Sequence, residues 1–104
     1  MGVVSTSADC VRFDDELAEL EVPALEKALD VVRKSSAQAP VVDMSEVTYL
    51  CSRAIGLLVT LWVDLTQQGR WFDLVASDRV WSILEKAGVA RVFFQRPKDP
   101  DARE

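Results

Sequence analysis

The segment Cys51-Ser52-Arg53 places a serine where a strand-like apolar run gives way to a helix-like pattern. The first turn of a helix leaves backbone N–H groups without intrahelical partners, so a serine there is suited to capping them. The same N–H groups and the helix dipole also favour a phosphate, which would add a charge of about −1.5 to −2. The local residues therefore allow two roles for Ser52, a structural N-cap and a phosphoacceptor.

The helix predicted to begin at Ser52 carries apolar residues on more than its core side. At about 100° per residue, the residues predicted to face the core are Ala54, Leu58, Leu61 and Leu65. A second strip, which is neither polar nor needed for that core, consists of Gly56, Val59 and Val63. An apolar strip beside an exposed helix start is typical of a surface that binds a partner. A phosphate on Ser52 would place charge next to that strip and could end the binding.

The composition argues against catalysis and against nucleic-acid binding. The 104 residues include no histidine, which is the commonest general base and metal ligand, and no Cys-x-x-Cys or glycine-rich phosphate loop. Lys and Arg number 12 against 17 Asp and Glu, a net charge of −5, whereas a nucleic-acid binder needs an excess of cations. We expect a binding protein that is not an enzyme and has no cofactor, metal site or nucleic-acid partner.

The two cysteines are expected to be free thiols. A cytosolic chain with an adequate core gains little from a disulfide between Cys10 and Cys51. Cys51 precedes a helix start, which favours either a reactive thiol of lowered pKa or, more commonly, a small buried apolar side chain.

Strand and helix patterns alternate before this junction. Alternation predicts a strand at residues 10–13, with residues 3–4 adding a short first strand. An amphipathic pattern begins at Pro23, a residue suited to the first helical turn, and ends near Lys34. Two further apolar runs, 41–44 and 47–50, predict a central strand that leads to Ser52.

The same alternation continues after Ser52. The helix is predicted to extend to about Gln68, with Gly69 as a left-handed C-cap, and a strand follows at 71–75. Ser77 or Asp78 is predicted to cap a helix that ends at Lys86 or Ala87, and residues 92–94 form a last short strand or an apolar plug. Strands that alternate with helices of this length indicate an α/β domain with a mostly parallel sheet and crossover helices.

One domain accounts for almost the whole chain. We expect it to span residues 1–96, followed by a polar tail at 97–104. No apolar stretch approaches the ~20 residues that cross a bilayer, and the first residues carry no export signal. We therefore expect no membrane span and a cytoplasmic location.

Element order and local sequence together resemble the STAS family, the fold of bacterial anti-sigma factor antagonists. Residues 41–50, VVDMSEVTYL, are similar to the family's VVDLSGVTYL, and residues 51–56 fall where the family has DSSGLG. Residues 69–75 resemble its GGRLVLV, residues 77–89 its SERVRRVLELTGL, and residues 91–93 its RLF. The resemblance covers about residues 10–95.

This resemblance implies a STAS-like fold, with four to five strands and crossover helices, and a mechanism of partner switching. Ser52 lies at the family's phosphoacceptor position. The unphosphorylated domain would bind an anti-sigma factor that is an ATP-binding serine kinase with a histidine-kinase-like fold, and so free a sigma factor. Phosphorylation by that kinase would end the complex, and a serine phosphatase would restore it. The predicted partner-binding residues are Cys51, Arg53, Gly56, Val59 and Val63.

Three positions depart from the family pattern. Cys51 replaces an acidic residue before the serine, Arg53 replaces a second Ser or Thr, and Ala18 replaces an acidic residue upstream, for which Glu16 and Glu19 are weak substitutes. Arg53 could pair with a phosphate on Ser52, engage an acidic partner or remain solvated. An alternative function is therefore a STAS scaffold without switching, such as an accessory subunit of a transporter or a signalling complex.

Overall fold

Within residues 3–7 and 9–94, which the computed structural model describes, the backbone forms one sheet of four strands. The strands are β1 (Val3–Thr6), β2 (Cys10–Leu17), β3 (Val41–Leu50) and β4 (Asp73–Ala76). They lie in the order β1-β2-β3-β4, with β1 antiparallel to β2 and the other neighbours parallel. The prediction of a mostly parallel sheet is therefore confirmed.

Three α-helices and two short 3₁₀ helices complete this part of the chain. The α-helices are α1 (Val22–Lys34), α2 (Ser52–Thr66) and α3 (Asp78–Lys86), and the 3₁₀ helices are Glu19–Glu21 and Ala90–Phe94. α1 and α2 are the crossovers between parallel strands and pack against each other. Since both crossovers move along the sheet in one direction, right-handed connections place both helices on the same face.

Burial along β2 and β3 follows the pleat of the sheet. Val11 and Phe13 in β2, and Val42 and Met44 in β3, are at most 1% exposed. The side chain of Arg12, which points to the other face, is 51% exposed. One face of the sheet therefore packs under the helices to form the core.

The structure lengthens β2 and β3 beyond the predicted runs. β2 continues from the predicted residues 10–13 to Leu17, although the acidic residues 14–16 have low strand propensity. Parallel pairing with β3 supports this extension, with register shifts on both sides of Asp14 and Asp15. β3 is likewise continuous from 41 to 50.

The bounds of β4 and α2 differ from those predicted from the sequence. β4 starts at Asp73, not at residue 71, because its pairing with β3 begins at Val41. α2 ends at Thr66, earlier than Gln68, and Gly69 has the predicted left-handed backbone with φ 73°. Ser77 caps α3, with its hydroxyl accepting a hydrogen bond from the Val80 N–H at 3.2 Å.

Residues 92–94 are not a strand, so that alternative is wrong. They belong to a 3₁₀ helix in which the Val92 N–H donates to the Val89 carbonyl at 3.0 Å, which satisfies the backbone locally. Phe93 is 6% exposed and packs into an aromatic cluster with Trp62 and Phe72. The segment is thus the apolar plug of the other alternative.

Other expectations concern the two cysteines, the membrane and the tail. Cys10 and Cys51 are free thiols, as predicted. Across residues 3–7 and 9–94, no helix has the length and apolar character needed to span a bilayer. The predicted tail at 97–104 lies outside the described residues.

Candidate docking site at the start of α2

The junction between β3 and α2 is fixed to the end of the neighbouring strand. Leu50 ends β3 at 2% exposure, and its register partner in β2 is Leu17. The Cys51 N–H donates to the Leu17 carbonyl at 3.0 Å. The helix therefore starts at the carboxyl ends of two parallel strands, the edge at which open α/β sheets most often bind ligands.

Ser52 is the first residue of α2, and the N-cap is the residue before it, Cys51. Cys51 has the extended backbone of a cap residue, φ −75° and ψ 167°, and its carbonyl accepts the first helical bond, from the Ile55 N–H at 3.1 Å. No side chain caps this helix start. The prediction of Ser52 as the N-cap is wrong because the chain turns one residue earlier, and the exposed Ser52 does not serve as the cap.

The outward side of α2 is small and apolar. Ser52, Gly56 and Val63 are exposed and Val59 is half-buried. At about 100° per residue, these four positions lie within about 60° of arc. We call them the α2 outer stripe. They lie opposite Ala54, Leu58, Leu61 and Leu65, which are four of the five buried residues of the helix; the fifth is Trp62.

The two residues that flank Ser52 in sequence have different environments. The Cys51 side chain is 5% exposed and belongs to the core, so it contributes little surface to a partner. Arg53 is exposed in the first turn of the helix, beside the α2 outer stripe. The structure thus brings Arg53 together with the four stripe residues and turns the Cys51 side chain inward.

An acidic hollow lies at the same end of the sheet. It has a volume of about 420 Å³ and is lined by Asp15, Glu16, Glu21 and Thr48. The Glu21 carboxylate accepts a hydrogen bond from the Ala18 N–H at 3.2 Å, so a carboxylate from the next turn lies beside Ala18. Sequence analysis missed Glu21, although a glutamate three residues after a turn residue is a known capping signal.

Leu20 is a further exposed residue that sequence analysis missed. It is 90% exposed, in the 3₁₀ helix that follows β2. Because Leu17 and Leu50 are register partners, Leu20 lies at the same end of the sheet as Ser52. Nothing in the sequence signals that Leu20 is exposed, because the leucines on either side of it in sequence, Leu17 and Leu25, are fully buried.

The junction offers an exposed hydroxyl and an exposed stripe of small side chains. Among residues 3–7 and 9–94, no group of three or more Cys, Asp or Glu could hold a metal ion. Hydrogen bonds from Ser45 lower the pKa of the Asp43 carboxyl, but Asp43 is the third residue of β3 and lies toward the end of the strand away from Ser52.

Comparison with known proteins identifies the fold. No family model and no curated protein sequence matches the chain. An anti-sigma factor antagonist from Mycobacterium paratuberculosis is similar in structure, with a TM-score of 0.73 and 26% identity over 95% of this chain and 86% of that one. The anti-sigma factor antagonist SpoIIAA, in its unphosphorylated form, has a TM-score of 0.64 and 14% identity over 86% and 81% of the two chains, a likeness of fold alone.

These likenesses extend over most of each chain. The STAS-like fold predicted from the sequence is therefore confirmed: the protein is an α/β domain built like the anti-sigma factor antagonists.

Proposed function

We propose that this protein is an anti-sigma factor antagonist that binds a kinase-type anti-sigma factor through the α2 outer stripe and is released when Ser52 is phosphorylated. The observation that supports this most is the exposed Ser52 at the start of α2, in line with an exposed apolar stripe, on a domain built like known antagonists.

The position of Ser52 suits a phosphoacceptor. Its side chain is exposed, so a kinase can reach the hydroxyl without unfolding the helix. The N–H groups of the first helical turn precede the first intrahelical bond, which Ile55 makes, and are directed toward this end of the helix. A phosphate there would be stabilised by those N–H groups and by the helix dipole.

The α2 outer stripe is suited to a partner whose binding would be weakened by a phosphate on Ser52. Gly56 leaves open space, since a Cβ built on it meets nothing within 4 Å, and Val63 is 43% exposed. A partner could therefore approach the helix backbone closely and cover apolar surface. A phosphate at one end of that contact would have to be desolvated or paired, which disfavours the complex. Arg53 and Leu20 would lie at its margin.

Phosphate transfer is tested by incubating the protein with ATP and each kinase-type anti-sigma factor encoded in the same genome. We expect mass spectrometry to locate one phosphate on Ser52 for a cognate kinase. Ser52→Ala should abolish the modification, whereas Thr60→Ala, which removes another exposed hydroxyl from α2, should leave it unchanged.

Docking is tested by calorimetric titration of the same kinase. We expect Gly56→Arg and Val63→Lys to weaken binding about tenfold or more, because each puts a charge into the contact. Ala87→Lys, which adds the same charge at an exposed position next to α3, is the matched control.

The variant Ser52→Asp distinguishes a phosphorylation switch from a constitutive scaffold. Ser52→Asp should weaken binding if charge at Ser52 releases the partner. If no kinase modifies Ser52 and Ser52→Asp binds partners as well as the wild type does, the switching proposal is wrong. The alternative of a constitutive STAS scaffold or accessory subunit would then stand.

A further inference from the structure

A second surface lies away from Ser52, between the first strand and the first helix. It is a groove of about 420 Å³, lined by Val3 and Thr6 of β1 and by Ala24, Lys27, Ala28 and Val31 of α1. Five of these six side chains carry no charge. Val31 is 38% exposed, and Ala24 is also exposed, so the groove wall that α1 provides is partly uncovered.

The strand that borders this groove is an edge of the sheet. In the described chain β1 pairs with β2 on one side, and its other side has no neighbouring strand. Its four residues include no charged residue and no proline, which are common devices against the addition of another strand. The backbone N–H and C=O groups on that side are thus available to an added strand.

A bulge brings two β1 side chains to the groove. The register passes from Val3 opposite Phe13 to Ser5 opposite Arg12, so Val4 is an extra residue on β1. Val3 and Thr6 therefore both line the groove although they are three residues apart. The bulge also makes the regular edge short, which suits a short extended peptide better than a long strand.

Lys27 gives the groove its charge. It is the one charged residue of the lining, and no ion pair joins it to another residue in the described part of the chain. Its ammonium group would attract a carboxylate on whatever occupies the groove, while its methylene stem packs along apolar side chains.

We propose that the edge of β1 and the adjoining groove bind an extended peptide segment of a partner protein by strand addition. The peptide would pair its backbone with β1, place small aliphatic side chains at alternate positions into the groove, and hold an acidic residue near Lys27. This surface does not include Ser52 or the α2 outer stripe, so it goes beyond the function proposed above and does not depend on it.

Selection of a random peptide library, displayed on phage, against the wild-type protein tests the proposal. We expect enriched peptides to alternate aliphatic residues with others and to carry an acidic residue. Val31→Lys, which puts a charge into the groove wall, should reduce the affinity of the selected peptides about tenfold or more. Ala87→Lys puts the same charge at an exposed position next to α3, away from the groove, and should leave their affinity unaltered.

Charge reversal at Lys27 adds a readout that loss of folding cannot mimic. Selection on Lys27→Glu should enrich basic residues in place of acidic ones, and Lys27→Arg should keep the acidic preference. Failure to enrich alternating peptides, or enriched peptides that bind Val31→Lys normally, overturns the proposal. Sedimentation that shows dimers dissociated by Val31→Lys also overturns it, since the edge would then serve a second copy of the chain.

Discussion

Gly56 is under opposite demands from stability and from docking. In a helix interior a glycine costs roughly 0.5–1 kcal/mol relative to alanine, because its backbone loses more freedom on folding. Its backbone does not need a glycine, since a positive φ occurs at Gly69 and Gly88 and not here. On the proposed function, the missing side chain lets a partner approach the helix backbone closely.

We expect Gly56→Ala to raise the free energy of unfolding by about 0.5–1 kcal/mol, measured by urea denaturation. The same change should weaken binding of the anti-sigma factor. Gly69→Ala is the matched control, because a Cβ there also meets nothing within 4 Å but the backbone φ is 73°; it should lower stability. Unchanged binding of Gly56→Ala would show that the partner does not approach the helix closely.

The charge of Asp43 links folding to pH. Two hydrogen bonds from Ser45, from its hydroxyl at 2.7 Å and its backbone N–H at 2.9 Å, together with Arg12 at 3.6 Å, lower the pKa of the Asp43 carboxyl below its ordinary value of 3.8. A lowered pKa in the folded state means that the ionised carboxylate stabilises the fold above that ordinary value. This contribution is lost as pH falls through the folded-state pKa.

We expect Ser45→Ala to raise the pKa of Asp43 toward its ordinary value, as measured by NMR titration. Asp43→Asn should be less stable than the wild type at neutral pH, with the difference shrinking as pH falls below 3.8. A stability difference that is constant over this range would mean that the Asp43 charge is not coupled to folding.

At the scale of elements, Arg70 joins the loop before β4 to the end of α1. Its guanidinium donates to the carbonyls of Val32 at 3.3 Å, Arg33 at 3.2 Å and Ala37 at 3.0 Å, and to the Ser35 hydroxyl at 3.2 Å. The last carbonyls of a helix have no intrahelical partner, so one arginine satisfies several of them and fixes the two segments together.

We expect Arg70→Lys to lower the free energy of unfolding by about 1.5–3 kcal/mol, because an ammonium group cannot reach all of these acceptors. Hydrogen exchange should show loss of protection at the end of α1. Arg79→Lys, at an exposed position of α3, is the control and should change stability by less than about 0.5 kcal/mol.

The final 3₁₀ helix closes the core with a single aromatic side chain. Phe93 packs edge-on to Trp62, with ring centroids 5.7 Å apart, and Trp62 is edge-on to Phe72 at 5.1 Å. The adjacent Phe94 is 70% exposed and stacks on Trp81. Neighbouring residues of the same type therefore have different roles.

We expect Phe93→Ala to cost about 3–5 kcal/mol of stability, from lost burial and the cavity left beside Trp62. Phe94→Ala should cost no more than about 1.5 kcal/mol, since it loses mainly a surface stack. Equal losses in the two variants, measured by chemical denaturation, would contradict the assignment of Phe93 as the core residue.

At the scale of the whole molecule, most of the fold could be predicted because the spacing of apolar residues along the sequence differs between helices and strands. The helical stripe from Leu25 to Val32 and the apolar run at Val42 are local signals, and their alternation implies parallel pairing. The extension of β2 over residues 14–16 could not be predicted, because tertiary pairing with β3 overrides the low strand propensity of acidic residues.

The candidate site was predictable in position and less so in detail. The strand-to-helix junction marked Ser52, but the extended backbone of Cys51 and the bond from its N–H to the Leu17 carbonyl place the helix cap one residue earlier. The exposure of Leu20 and the groove beside Val31 depend on which surfaces other elements leave uncovered. No local pattern carries that information.

The strand order β1-β2-β3-β4 in space repeats the order in sequence. Each strand pairs with the one made before it, so during synthesis the sheet can grow at one advancing edge without waiting for a later strand to be inserted. The junction at Ser52 would take shape on the ribosome as soon as α2 emerges, while the core would still lack Phe93. Nascent chains should therefore form the start of α2 before they are fully stable.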